Sequence, residues 1–244
     1  MLREVQWSED RSYRTGSESE PVQFYMDGLY NSTKFDLLLG YFSSAAISVL
    51  SLGFATFLYN GGTMRMVVNN VLSQEDKDVI KAGREGNIQN TAIDLTDIKQ
   101  SKRTLDDYGK HFFDCLSWLI ANEKIQIIII KPKSGKGIAH YKSGAFSDGI
   151  DTIGFKASCN FTAFGLLENL EELDGFLSWE EGRSIKMINR QNKDFEKIFS
   201  GDANFVDYLE AEDIAIAIKG EFGNKSLNEL RIQEKDLAEK RIEF

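Results

Sequence analysis

Two short runs of almost unbroken apolar residues, 35–42 (FDLLLGYF) and 125–130 (IQIIII), constrain this chain's fold more than any other feature. A strand with one face in water alternates apolar and polar residues. A run without alternation suits a strand covered on both faces. A third strand is read at 63–68, between those two. The segments around them have helical spacing. Val22, Tyr25, Met26 and Leu29 mark a helix closing near Asn31, and the apolar run 43–59 ends at Asn60-Gly61-Gly62. Ser73 with Glu75 and Asp76 reads as the capped first turn of another helix. Leu105, Tyr108, Phe112, Cys115, Leu116 and Leu119 form the stripe of one more, with His111 beside it as a structural histidine. Strands alternating with helices predict an α/β fold: a mixed β-sheet flanked by helices on both faces. Residues 1–20 are polar and read as an irregular start, and 84–103 carry no clear pattern.

The stretch 131–171 holds the chemistry. It reads as two strands, 137–146 and 150–160, joined by a polar turn. Residues two apart on a strand share a face, so His140 and Lys142 point one way, and Ser158 and Asn160 share a face on the second strand. Gly154 has the parity of Ser158 and Asn160 and is expected to leave room for a ligand. Phe155, Ala157 and Cys159 take the opposite, buried parity. A histidine alone on a strand is more often structural than catalytic. Here the HxK pattern, the SxN pattern on the next strand and a following acid occur together.

His140-Tyr141-Lys142 followed by Ser158-Cys159-Asn160 resembles the HxK…GSxN signature of the phospholipase D superfamily. The run Asn160-Phe161-Thr162, Gly165-Leu166 and Asn169-Leu170-Glu171 is similar to its single-motif nuclease branch, which contains metal-independent restriction endonucleases and helicase-associated domains. That resemblance implies a phospholipase D-like α/β fold, with Glu171, eleven positions after Asn160, supporting the histidine and Glu172 as the alternative. Two positions depart from the pattern. The motif aspartate's place is Ser147, with Asp148 one later, and the glycine before the serine is Ala157.

For a phosphodiester, His140 is the nucleophile able to attack phosphorus at neutral pH, giving a phosphohistidine. Lys142, Ser158 and Asn160 supply a cation and donors to the phosphoryl oxygens. With lysine in that role no metal or other cofactor is required. The leaving oxygen also needs an acid. The family pairs two motifs, so a chain with one motif implies a symmetric homodimer whose second His140 is that acid.

The net charge of −9 argues against a body that binds nucleic acid over its whole surface. Around the motif the balance reverses: Lys131, Lys133, Lys136, Lys142 and Lys156 stand against Asp148 and Asp151. Lys131 and Lys156 are the candidate substrate-binding cations; a solvated surface accounts for Lys133 and Lys136 equally well. DNA is the expected partner, cut by an endonuclease of restriction or phage-defence type. A lipid phosphodiesterase or phosphatidyl transferase of the same superfamily, or a non-catalytic DNA-binding module, are the alternatives. No apolar run approaches a membrane span, and Cys115 and Cys159, set among apolar residues, suggest a reducing, cytoplasmic setting. The nuclease domain is expected over 1–200. Residues 201–244 read as an acidic helical extension, or a linker to a helicase or DNA-recognition domain beyond this chain.

Overall fold

The computed structural model describes residues 1–40, 44–69, 97–133, 142–157, 172–223 and 225–242. Its elements in chain order are β1 (Ser12–Arg14), α1 (Pro21–Tyr30), β2 (Lys34–Leu39), α2 (Ser44–Tyr59), β3 (Thr63–Asn69), α3 (Ile98–Thr104), α4 (Asp107–Ala121), β4 (Ile125–Pro132), β5 (Lys142–Ser147), β6 (Thr152–Ala157), β7 (Glu172–Leu177), α5 (Arg183–Phe199), β8 (Val206–Leu209), α6 (Glu212–Glu221) and α7 (Leu227–Ile242). The helix expected after Ser73 lies outside the described residues.

The strands form one mixed sheet in the order β1-β7-β6-β5-β2-β3-β4-β8. β2, β3 and β4 are parallel, and β5 runs antiparallel to β2. Both faces are covered, which is why β2 and β4 are nearly all apolar. On β2, Leu37 and Leu39 enter the larger core, while Leu38 enters a smaller one on the opposite face. On β3, Met64, Met66 and Val68 point to the large core and Val67 to the small one.

The large core is aromatic. Phe24 and Tyr25 of α1 meet Phe146 and Phe155, and the Phe35 and Phe146 rings stack with centroids 4.4 Å apart. Each such side chain, fully buried, contributes about 1.5–3 kcal/mol. The small core is α5 laid on the sheet, with Phe195 and Ile198 against Leu38, Val67 and Ile130. Arg65 of β3 ties this layer together. It grips Asp36 through two hydrogen bonds (2.7 and 2.5 Å), reaches Glu196 at 2.8 Å and lies over the Phe195 and Phe199 rings.

One region differs from the sequence reading. The first twenty residues are ordered by long-range contacts that no local pattern announces. Leu2 is fully buried, Trp7 donates its indole N–H to the Leu2 carbonyl (2.8 Å), and β1 adds a strand to β7. The stretch from Gly201 packs against the rest of the chain. β8 pairs with β4, and Ile214, Ile218, Phe222 and Leu230 lie in the large core. Only one narrow side of α6 and α7 is buried, among many charges.

α2 breaks at Leu52 and Gly53, where the backbone leaves helical values. The break strands the first N–H groups of the helix that restarts beyond it. Glu234 of α7 fills the gap: its carboxylate accepts from Ala55 N (2.6 Å), Thr56 N (3.3 Å) and Thr56 Oγ1 (2.6 Å). His111 and Cys115 of α4 are buried beside it, with His111 Nε2 3.9 Å from the carboxylate and 3.7 Å from Cys115 Sγ. Burial, then the nearby Glu234 and Asp114 charges, push the Cys115 thiol up, so it stays protonated. His111 is enclosed in the core, as a structural histidine should be.

Candidate active-site edge

The strand directions define a candidate site. Parallel β2, β3 and β4 all end at one edge of the sheet. The antiparallel partners bring the start of β5, the end of β6 and the start of β7 to that same edge. The register makes this concrete: Lys142 pairs with Leu39, Leu39 with Val68, Asn69 with Ile130, and Ala157 with Leu173. The carboxyl ends of parallel strands are where open α/β sheets bind ligands.

Lys142 is the first residue of β5 and is half-buried at this edge. β6 ends at Ala157, the residue before Ser158. His140, Ser158, Asn160 and Glu171 themselves lie outside the described residues. The described chain therefore leaves β4 and re-enters at β5 around His140, and leaves β6 and re-enters at β7 around Ser158, Asn160 and Glu171. All four crossing points are on one edge.

Lys131 and Lys156 differ in setting. Lys131 lies on β4, three strands from β5 or about 14 Å at the usual strand spacing, and pairs with Asp207 at 3.8 Å. Lys156 is exposed directly opposite Ser143 on the neighbouring strand. With Ser143, Arg190 and Gln191 it lines a cavity of about 110 Å³ between the sheet and α5.

The register corrects one expectation. Ser143, Ala145, Gly154 and Lys156 share the α5 face, whereas Lys142 has the parity of Gly144 and Phe146. Gly154 is therefore not on the face of Lys142, and its missing side chain makes room for α5. A Cβ there would stand 2.9 Å from Gln191 Oε1. The Gln191 amide is held over the strands by the Gly144 and Phe155 carbonyls, to which it donates at 2.7 and 3.1 Å.

Asp148 has a structural task. Its carboxylate accepts from Ile150 N (2.9 Å), Asp151 N (2.8 Å) and Leu2 N (2.9 Å), closing the β5–β6 turn around Gly149 (φ +93°) and pinning the amino-terminal segment. Partial burial pushes its pKa up, but the three N–H donors outweigh this and hold it below 3.8. Asp151 completes the turn with two bonds from Arg3, at 3.0 and 2.8 Å. This turn is at the far end of the hairpin, about 20 Å from Lys142 at the usual strand rise, so Asp148 cannot serve the edge. Glu172, the alternative histidine support, is held by Arg14 at 2.9 Å.

The structure also places at this edge a residue the sequence did not single out. Asn69 ends β3 and is 3% exposed among valines and isoleucines. A buried amide in an apolar sheet is costly unless hydrogen-bonded. The available signal was an amide closing an apolar strand, immediately before Asn70. Among the described residues no three His, Cys, Asp or Glu side chains gather to hold a metal ion, and no helix is long and apolar enough to cross a membrane.

No protein-family model matches the sequence, and no curated protein matches it. Solved structures similar to the chain include phosphatidylserine synthase of Haemophilus influenzae (TM-score 0.49, 13% identity), covering 95% of this chain and 45% of that one. Others are polyphosphate kinase of Porphyromonas gingivalis (0.38, 11%; 79% and 26%) and a mutant of yeast tyrosyl-DNA phosphodiesterase (0.38, 15%; 80% and 41%). The chain spans less than half the length of each. At these values the likeness lends no weight to function, and the α/β class stands on the sheet and helices described above.

Proposed function

We propose that this chain is a phosphodiesterase of the phospholipase D type that cuts DNA without a metal. The observation that carries the reading is the shared sheet edge. Strand directions bring the crossing points around His140 beside those around Ser158, Asn160 and Glu171, with Lys142 between them. An HxK…SxN…E set is chemically coherent only when its members converge; strand direction supports this by bringing the four chain ends to one edge, where side chains from either face of the sheet can meet.

In this reading a nitrogen of His140 attacks phosphorus and the bond to the leaving oxygen breaks, giving a phosphohistidine. The leaving oxygen takes its proton from the His140 of a second copy. Water then attacks the phosphohistidine, losing a proton to that second imidazole, and His140 is freed. Lys142, Ser158 and Asn160 stabilise the charge gathering on the phosphoryl oxygens. Glu171 accepts the other ring N–H of His140 and fixes its tautomer. The site is thus shared by a homodimer, in an endonuclease of restriction or phage-defence type that can work with a helicase or DNA-recognition domain.

The test is incubation of the purified chain with plasmid DNA, and separately with bis-p-nitrophenyl phosphate, in excess EDTA. Turnover of both is expected, together with an acid-labile phosphoryl group on His140 after rapid quenching. Strict dependence on magnesium or manganese overturns the mechanism.

A further inference from the structure

Helix α5 turns Ile188, Phe195 and Ile198 onto the sheet. On its opposite side stand Arg183, Lys186, Arg190, Lys193 and Lys197, all exposed. They follow one another in steps of three and four residues, the spacing that places side chains on one helix face. The fourteen steps from Arg183 to Lys197, at about 1.5 Å rise each, make a basic ridge of about 21 Å. The helix's carboxylates do not neutralise it. Glu196, itself exposed, pairs with Arg65 at 2.8 Å, and Asp194 reaches only Arg190, at 3.8 Å. Among the described residues no carboxylate pairs with Arg183, Lys186 or Lys193. On a chain of net charge −9 this is an unusual accumulation of one sign.

The ridge also leads to the candidate site. Arg190 lines the same cavity as Lys156 and Ser143. Those two residues face each other one step inside the edge where β5 begins and β6 ends. A polyanion lying along α5 would thus meet the Lys156–Ser143 pair on its way to that edge.

We propose that the outward face of α5 is a track for the DNA backbone, carrying one strand's phosphates across the sheet toward the site. The proposal rests on the reading of the chain as a DNA phosphodiesterase and adds the surface that holds the DNA. Nucleic acid fits better than a lipid surface. A helix that lies on a membrane inserts apolar residues into it, and the apolar side of α5 is already spent on the sheet.

The experiment measures fluorescence anisotropy of a labelled duplex of roughly 25 base pairs, titrated from about 50 to 250 mM NaCl. His140→Ala is the background, so that the DNA stays intact. The combined substitution R183Q/K186Q/K193Q is compared with K219Q/K235Q/K240Q, which removes the same charge from α6 and α7. Each phosphate contact contributes about 0.9 to the log–log salt slope. The α5 variant is therefore expected to lower the slope by about 2–3 and the affinity near 0.1 M salt by about tenfold or more. The control is expected to change little. Equal behaviour of the two variants overturns the ridge and leaves the phosphodiesterase reading standing. Failure of the unsubstituted background to bind duplex at about 50 mM salt overturns it as well. Wild-type turnover of bis-p-nitrophenyl phosphate, run alongside, then reports whether the phosphodiesterase chemistry survives. Binding to phosphatidylserine vesicles, lost in the α5 variant and without DNA binding, assigns the ridge to lipid and overturns it too.

Discussion

Replacing Glu234 by alanine tests whether the carboxyl-terminal helix is structural or an appendage. Glu234 is 5% exposed and caps the restarted half of α2 from 179 residues away in sequence. Its loss strands the N–H of Ala55, a fully buried residue, at about 1–3 kcal/mol. Thr56 is only half-buried, so water partly replaces its two bonds, and losing this share of the cap costs about 1 kcal/mol. The sum is about 3 kcal/mol. For a chain of this length each kcal/mol lowers Tm by about 2–4 °C, so Glu234→Ala should melt about 6–12 °C below wild type in calorimetry or far-UV circular dichroism. Glu234→Gln is the diagnostic partner. Its amide oxygen still accepts from Ala55, and the Thr56 hydroxyl turns to accept from its NH₂, so the cost falls to about 1 kcal/mol. An alanine variant melting within about 2 °C of wild type would refute the reasoning. So would a glutamine variant as unstable as the alanine one, since the effect would then not follow from acceptor number.

His140→Ala should abolish phosphodiester turnover with Tm unchanged, whereas His111→Ala should keep turnover and lower Tm, because His111 is fully buried; swapped outcomes mean the wrong histidine was chosen. In dimers mixed from wild-type and His140→Ala chains, a shared site predicts severe impairment, and half of wild-type activity would rule it out. The depressed pKa of Asp148 contributes stability that is complete above 3.8 and is lost as pH falls through its lower folded value. Chemical-denaturation curves should therefore show a gap between wild type and Asp148→Asn that closes below pH 3.8; a gap independent of pH there counts against the turn described above.

The fold class could be read directly from the chain because β2 and β4 are covered on both faces. Such a strand must be apolar at consecutive positions, and that requirement is local enough to survive as a run of letters. α4 was legible for the same reason, its buried stripe recurring every turn. The hairpin was legible as two strands around a polar turn, β5 and β6 in the structure. What stayed hidden depended on partners far away in sequence. Leu2 and Arg3 belong to what looks like a polar tail until Asp148 and Asp151 arrive to hold them. β8 is four residues long and gains its meaning only from the edge of β4. Glu234 is one acid in a charged run until the break in α2 supplies donors for its carboxylate. Which side of the hairpin Gly154 occupies was likewise decided by register, since cross-strand pairing sets which residues share a face. Sequence alone determined the doubly covered strands and the striped helices. Tertiary structure decided which ends meet at one edge, because that depends on strand direction and order, which no local pattern encodes.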